Sequence, residues 1–414
     1  MERLTKDPAK LFIGAVSASA VIYFLIYLII GDGRFTDMFF IRCADFFMDF
    51  FNSIRDAAQG SGVYTERGVI YPPMANLIYL ILSRFTPRSY NDTTFSERYD
   101  WVEYISPMML ILIYTVAFAL IFFFLVYTGQ QRGSREKKAA FAFLAFFSVP
   151  MLYMTERGNM VMFCMIALLV YALTYHSESK VYRELGLIAL AFAFSLKLYP
   201  VVFGWFLVAD KRWRDALKCV IYGVLMLILP SFFFGGPKCL VWVVGNIFNF
   251  SSGSGSILST ILRYIGAPQA LHVIVTLLVY LWVLVCGVCF AISPFVGESK
   301  CNTWIMGFAT ILCIPSLTSL YIWAFLIIPF IMLCNKAQLD KSDRFYALVL
   351  TAPFIFIPFR ISYHVTISTV LIYVATATLS VFAVLETLRA ARAFVAKKKA
   401  EGVKLGEYLR SLVK

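Results

Sequence analysis

Charge is scarce in this sequence. Of its 414 residues, 15% are charged and only three are histidines, whereas 60% are hydrophobic and 17% are aromatic. So little charge does not cover the surface of an ordinary soluble domain, and we therefore predict a polytopic membrane protein. The N-terminal region also lacks a small-residue cleavage site. We therefore interpret its first hydrophobic run, residues 11–30, as a retained membrane helix and not as a signal peptide.

Cysteines are few and show no metal-binding pattern. The nine cysteines are scattered, several of them within apolar runs, and none has the spacing of a metal site or of a disulfide framework. The net charge of +13 does not indicate nucleic-acid binding either. The basic residues gather in short clusters between hydrophobic runs, at 132–138, 211–214 and 397–399, as the positive-inside rule predicts for cytoplasmic loops.

The hydrophobic runs predict an all-α transmembrane bundle with about twelve spans. Several runs are shorter than the ~20 residues that a helix needs to cross the bilayer. These short runs are separated by polar or proline-bearing turns at 156–159, 197–200, 315–318 and 358–360. Polar backbone at membrane depth survives where it is buried in protein or lines a wet cavity, so we expect the four turns to share a cavity. With the basic clusters and both termini in the cytoplasm, these turns lie on the outer side.

The prediction of a transmembrane bundle includes three further segments. Residues 69–85 either span the membrane or form a re-entrant or shallow helix, and the charge pattern favours the second reading. Residues 237–256 predict a flexible external loop. We assign residues 1–387 to one transmembrane domain and residues 388–414 to a basic cytoplasmic tail.

An acidic segment follows the first hydrophobic helix, within a predicted external loop at 31–68. Asp45 and Asp49 are four residues apart and share one helix face, which Asn52 and Asp56 continue. Phenylalanines cover the opposite face, as in a helix that lies in the membrane interface. Carboxylates at that depth are costly unless they have partners or a function. We therefore expect chemistry at this external amphipathic helix, although a solvated polar face has the same pattern.

Several motifs follow one another along the chain: the acidic segment continued through Tyr71-Pro72-Pro73, the turn Glu156–Asn159, the string Ser195–Pro200 and, more loosely, residues 315–329. Their order resembles glycosyltransferase family 87 of the GT-C superfamily, which includes mycobacterial polyprenol-phosphate-mannose mannosyltransferases. The resemblance covers about residues 37–330. It implies a GT-C fold and inverting transfer of a hexose or pentose, mannose-like by preference, from a polyprenyl-phosphate sugar to a lipid-linked or glycan acceptor.

The resemblance also implies roles for individual residues. A carboxylate takes the acceptor proton, and both Asp49 and Asp45 are candidates, with Asp49 ranked first. Lys197, Arg157 and Arg360 are candidates to hold the lipid phosphate. The remaining substrate-binding candidates are Asn159, Tyr71, Tyr199 and Tyr321.

Structural roles remain open for most of these residues. Lys197 at a helix end can snorkel to the interface, Arg157 can pair with an acid, and Asn159 can cap the next helix. Tyr71-Pro72-Pro73 is typical of a helix entry, and Tyr321 of an aromatic belt.

The expected partners are the sugar donor, the acceptor and the bilayer, without nucleic acid. No cofactor is expected, since lipid-phosphate sugars need no nucleotide-binding fingerprint, although Asp37, Asp45 and Asp49 permit a divalent metal. The expected location is a bacterial plasma membrane with the active site on the outer face. A transporter or flippase is the alternative, because transporters also contain broken helices.

Overall fold

Helices make up nearly all of the regular structure in the described part of the chain. The computed structural model describes residues 7–30, 47–91, 105–253, 262, 265–297, 299–314, 320–357, 360–362 and 365–401. The first thirteen α-helices, α1 to α13, are Pro8–Ile30, Met48–Ala58, Gly62–Thr65, Pro73–Ser83, Arg88–Asn91, Ile105–Gly129, Arg135–Phe146, Val149–Arg157, Val161–Thr174, Lys180–Leu196, Trp205–Ala209, Trp213–Ser231 and Cys239–Gly253. The next five, α14 to α18, are Gln269–Ile292, Lys300–Leu312, Ile327–Asn335, Lys341–Thr351 and Ile367–Ala400.

Short 3₁₀ helices extend or interrupt several of these elements, at Tyr199–Gly204, Phe232–Phe234, Ser293–Phe295, Leu320–Leu326 and Ala352–Phe354. A two-stranded antiparallel hairpin, with β1 at Arg360–Ser362 and β2 at Val365–Thr366, pairs Arg360 with Thr366. The helical prediction is therefore confirmed, and this hairpin is a small departure from a purely α fold.

Five of the described helices, α1, α6, α12, α14 and α18, are long and apolar enough to cross a membrane. A sixth crossing results if α7 and α8, which meet at a bend of 52°, are counted as one broken span. Helix α4 has 11 residues, or about 16 Å at 1.5 Å per residue, which is too short to cross alone. Its length agrees with the shallow or re-entrant reading of residues 69–85.

The chain divides into two compact units. The first contains residues 1–255 and 319–373, and the second contains residues 256–318 and 374–414. In the second unit α14 packs against α15, and the indole nitrogen of Trp282 donates to the Ser380 hydroxyl at 3.1 Å. Asp49, Arg157, Lys197 and the other described candidate residues belong to the first unit.

Helix α2, which carries Asp49, is packed within protein. Phe50 and Phe51 are fully buried, with the Phe50 ring 4.9 Å from the Tyr114 ring and the Phe51 ring 6.4 Å from the Tyr90 ring. The expectation that its aromatic face lies in the membrane interface is therefore wrong for these two residues. Aromatic partners from other helices cover that face, which a hydrophobic pattern alone does not distinguish from lipid.

The predicted flexible loop at 237–256 is also corrected. Its residues 239–253 form α13, because Leu240, Val243 and Ile247 repeat at helical spacing and pack against Val63 and Tyr64. The serine- and glycine-rich composition that suggested a loop begins at residues 251–253, in the last turn of this helix, and continues at 254–256, outside the described residues.

Candidate active site

The turn between α8 and α9 determines the geometry of the site. Helix α8 ends at Arg157, and Gly158 follows with φ of +61°, a conformation that ends a helix and that glycine adopts without strain. A Cβ on Gly158 would also lie 2.9 Å from the Cβ of Phe50. Glycine therefore lets α8 approach α2 closely while the chain reverses, so that Arg157 and Asn159 both flank α2.

Asp49 in the first turn of α2 is held by both of these residues. The Arg157 guanidinium forms an ion pair and hydrogen bond with one carboxylate oxygen. The Asn159 amide donates to the other oxygen at 2.8 Å. A backbone bond of 2.7 Å from the Phe47 N–H to the Glu156 carbonyl joins the start of α2 to the end of α8. Both carboxylate oxygens are thus fixed by a segment more than 100 residues away in sequence.

Asn159 is buried and uses every polar atom of its side chain. Its amide nitrogen donates to Asp49 and also to the Tyr71 hydroxyl at 2.7 Å, and its carbonyl oxygen accepts from the Val161 N–H at 3.0 Å. The last bond satisfies the N–H of Val161, the first residue of α9; Met160 is the N-cap residue of that helix, so Asn159 supports the helix start without being its N-cap. Asn159 therefore combines that role with a contact to the acid.

Lys197 meets this group through Tyr71. Its ammonium lies 4.1 Å from the centre of the Tyr71 ring, which is a cation–π contact. Lys197 follows the last residue of α10, and its backbone is extended. Both residues are half-buried, and the Lys197 side chain is directed to the Tyr71 ring, a contact that the snorkelling alternative does not predict. Asp49, Arg157, Asn159, Tyr71 and Lys197 thus form one contiguous group, which we call the Asp49 cluster.

Burial shifts the pKa values of two members of the Asp49 cluster. It lowers the pKa of the Lys197 ammonium to about 8, and the nearby Asp49 charge partly opposes this shift. Burial raises the pKa of the Tyr71 hydroxyl well above its usual value, and Asp49 raises it further. Tyr71 is therefore a neutral hydroxyl near pH 7, and Lys197 is a cation close to its titration point.

The other predicted residues are less closely connected to the Asp49 cluster. The Tyr199 ring contacts Phe325 at 5.8 Å, and the Tyr321 ring stacks on Tyr153 at 6.1 Å. Arg360 lies in β1, where only its backbone is described. Asp45 falls outside the described residues, so the choice between the two aspartates stays a prediction.

Metal binding also stays open. Within the described ranges, no three histidine, cysteine, aspartate or glutamate side chains are grouped closely enough to hold an ion. Asp37 and Asp45, which suggested that option, both lie outside those ranges.

Three residues near the Asp49 cluster were not among the candidate site residues that the sequence suggested. Tyr79 is buried, and its hydroxyl accepts from the Met160 N–H at 3.1 Å. Asn76 and Tyr64 form a buried hydrogen bond of 2.8 Å beside Tyr71. Asn76 offered a signal, since an amide inside the apolar helix α4 needs a partner.

Comparison with known proteins decides the family. The model of glycosyltransferase family 87 matches residues 70–319, more than half of the chain. The chain belongs to glycosyltransferase family 87. Comparison with curated proteins gives no match, and neither does comparison with solved structures.

Membership of family 87 confirms the resemblance seen in the sequence and indicates a membrane glycosyltransferase with a sugar donor and an acceptor. It agrees with a GT-C assignment. The matched range includes Tyr71, Arg157, Asn159 and Lys197 but begins after Asp49. The contacts of Asp49 with Arg157 and Asn159 therefore connect α2 to the matched part of the chain.

Proposed function

We propose that this protein is an inverting glycosyltransferase that uses a polyprenyl-phosphate sugar. In this proposal a hexose or pentose, with mannose favoured, is transferred to a lipid-linked or glycan acceptor. The observation that carries the proposal is the Asp49 carboxylate, held by Arg157 and Asn159 in one cluster with the Lys197 cation. A carboxylate and a cation in one site are what a single displacement at C1 of a sugar phosphate needs.

The reaction assigns a different task to each charge. The acceptor hydroxyl oxygen attacks C1 while the bond from C1 to the phosphate oxygen breaks, so the configuration at C1 inverts. Asp49 takes the hydroxyl proton, a contribution of roughly 10²–10⁴-fold for a positioned general base. The electron pair of the broken bond stays on the polyprenyl phosphate, whose negative charge Lys197 stabilises.

This assignment revises the predicted phosphate holders. The guanidinium of Arg157 is engaged with Asp49, and we assign it to orienting that carboxylate. The ammonium of Lys197 lies on an aromatic face and is the better candidate for the phosphate. The Tyr71 hydroxyl accepts from Asn159 and keeps its own proton, which it can donate to a substrate oxygen. We keep Tyr199, Tyr321 and Arg360 as outer substrate contacts.

We place the site on the outer face of a bacterial plasma membrane, with both termini cytoplasmic. The basic clusters between hydrophobic runs support this orientation. The five long apolar helices and the bent pair of α7 and α8 supply six of the about twelve spans in this proposal, and we assign the others to shorter helices of the chain. Residues 1–387 form the transmembrane domain, and the basic residues after 388 meet the anionic inner leaflet.

The test is incubation of the purified protein with a panel of polyprenyl-phosphate sugars and an extract of membrane glycolipids. We expect release of polyprenyl phosphate and a new glycosidic bond of inverted configuration with at least one donor. EDTA should leave the rate unchanged, because Lys197 and not a metal stabilises the phosphate.

Two outcomes would contradict parts of this proposal. Movement of an intact lipid-linked sugar across proteoliposomes without bond cleavage would favour the transporter alternative. Loss of activity in EDTA that Mg²⁺ or Mn²⁺ restores would assign the phosphate to a metal.

A further inference from the structure

Tyr71 occupies the centre of the Asp49 cluster although its backbone is not helical. It lies between the end of α3 at Thr65 and the start of α4 at Pro73. Its hydroxyl contacts Asn159 and its ring contacts Lys197, so a displacement of Tyr71 would change both contacts. Regular helical hydrogen bonds do not hold such a residue, and its position therefore depends on side chains around it.

Two buried side chains hold the Tyr71 backbone. The Tyr64 hydroxyl donates to the Tyr71 carbonyl oxygen at 3.1 Å, and the Asn76 amide donates to the same oxygen at 3.3 Å. Asn76 also donates to the Tyr64 hydroxyl at 2.8 Å, which closes a triangle of hydrogen bonds. Asn76 is fully buried and Tyr64 is 2% exposed, and hydrogen bonds are stronger in such a low-dielectric environment.

Helix α13 adds a second attachment. The Asn246 amide donates to the carbonyl oxygens of Tyr64 at 3.0 Å and Val69 at 3.1 Å. These two carbonyls lie on either side of the exposed residues 65–68. The amide of Asn246 therefore closes the base of this exposed loop at Val69, two residues before Tyr71.

Apolar packing fixes α13 against the same place. The Tyr64 ring lies 5.9 Å from the Phe234 ring, and Cys239 and Val243 complete a buried cluster around it. Displacement of α13 would therefore disturb both the apolar contacts of Tyr64 and the two bonds of Asn246.

We propose that Asn246, Asn76 and Tyr64 are positioning residues that hold Tyr71 in register with Asn159 and Lys197. Through these three residues, which we call the Tyr71 clamp, the position of α13 determines the geometry around Asp49. The clamp has a kinetic consequence, a loss of kcat when it is broken, which rests on the proposed function. It also has a structural consequence, faster hydrogen exchange around Tyr71, which does not.

The structural consequence is tested by hydrogen–deuterium exchange on Asn246→Ala, without any substrate. The Val69 N–H bonds the Val63 carbonyl at 3.2 Å, and the Val161 N–H bonds the Asn159 side chain at 3.0 Å. We expect faster exchange at Val69 and, more weakly, at Val161, because local stability depends on the contacts that close each segment. Gly245→Ala is the matched control, since a Cβ at that position of α13 meets no atom within 4 Å.

The kinetic consequence is tested by combining Asn246→Ala with Tyr71→Ala, which removes both the hydroxyl contact to Asn159 and the ring contact to Lys197. Asn246→Ala alone should lower kcat about tenfold with donor KM within about twofold, since small misplacements near a reacting centre are costly. In the Tyr71→Ala background the same change should cost about twofold or less, because coupled residues are not additive.

Two results would overturn the Tyr71 clamp. One is exchange that rises only within α13 while Val69 and Val161 keep wild-type rates. The other is an equal loss of kcat from Asn246→Ala in both backgrounds, as a general loss of stability would give. If no donor supports transfer by the wild-type protein, the proposed function fails, and the exchange experiment still decides whether the clamp exists.

Discussion

The two ends of helix α2 place similar carboxylates in different environments. At its start, Asp49 is bound by Arg157 and Asn159 from a distant turn. Near its end, Asp56 is 17% exposed and lies 3.8 Å from Arg67, which comes from the exposed loop just after it. Burial raises the pKa of Asp56 to about 6, with Arg67 opposing the shift. Two acids on one polar stripe therefore have different partners, and the directed contacts of Asp49 are what make it the stronger candidate for the base.

The largest expected effect separates these two acids. Asp49→Asn should reduce sugar transfer by at least about 10³-fold, because the amide cannot accept the acceptor proton. Asp56→Asn removes a carboxylate from the same helix and should keep the wild-type rate within about twofold. Initial rates at saturating donor, with thermal stability measured in parallel, check both variants. Full activity of Asp49→Asn together with loss in Asp45→Asn would transfer the role to Asp45.

The second prediction concerns the arginine beside each acid. Arg157→Ala should lower kcat about 10–100-fold, since Asp49 then keeps only Asn159 to orient it. Arg67→Ala, the matched change beside Asp56, should leave kcat unchanged. A rise in donor KM without loss of kcat in Arg157→Ala would instead return Arg157 to the phosphate, as the sequence first predicted.

The third prediction concerns Lys197, the cation that interacts with Asp49 at the start of α2. Lys197 is charged below its pKa of about 8 and loses its charge as the pH rises through that value. The kcat/KM for a polyprenyl-phosphate sugar should therefore fall on an alkaline limb near pH 8, because the donor phosphodiester does not titrate there. Lys197→Arg should retain activity and lose this limb, since arginine stays charged. An unchanged limb in that variant would exclude Lys197 as its source.

The sequence identified the members of the Asp49 cluster as candidates, but it did not predict which of them contact one another. The family resemblance and the order of the polar turns made Arg157, Asn159 and Lys197 candidates together. The choice of Arg157 as the partner of Asp49 depends on a close approach of α8 to α2, which no local pattern encodes. Asn246 was missed because the residues around it suggested a loop.

Burial was the property that the sequence conveyed least well. Phe50 and Phe51 predicted a lipid-facing surface, and in the fold they contact other aromatic rings. Membrane and protein interior are both apolar, so a hydrophobic face does not reveal which of them covers it. The helices themselves were predictable, because their length and apolar composition follow from local physics.

The smallest expected effect is a stability difference at the Asp56 end. The pKa of Asp56 is about 6 in the folded protein and about 4 in an unfolded chain, so the folded state binds the proton more tightly. Stability should therefore fall as the pH rises from about 4 to 6 and level off above that range. The asparagine of Asp56→Asn does not titrate, and we expect this variant to be more stable than the wild type by about 1–3 kcal/mol at pH 7.5, with a smaller difference at pH 4.5.

Arg67→Ala should shift stability at pH 7.5 in the opposite direction, because it removes the charge that offsets the ionised Asp56. Melting temperatures in detergent at both pH values measure this difference, and an equal gain for Asp56→Asn at the two values would show that its carboxylate is not strained by burial.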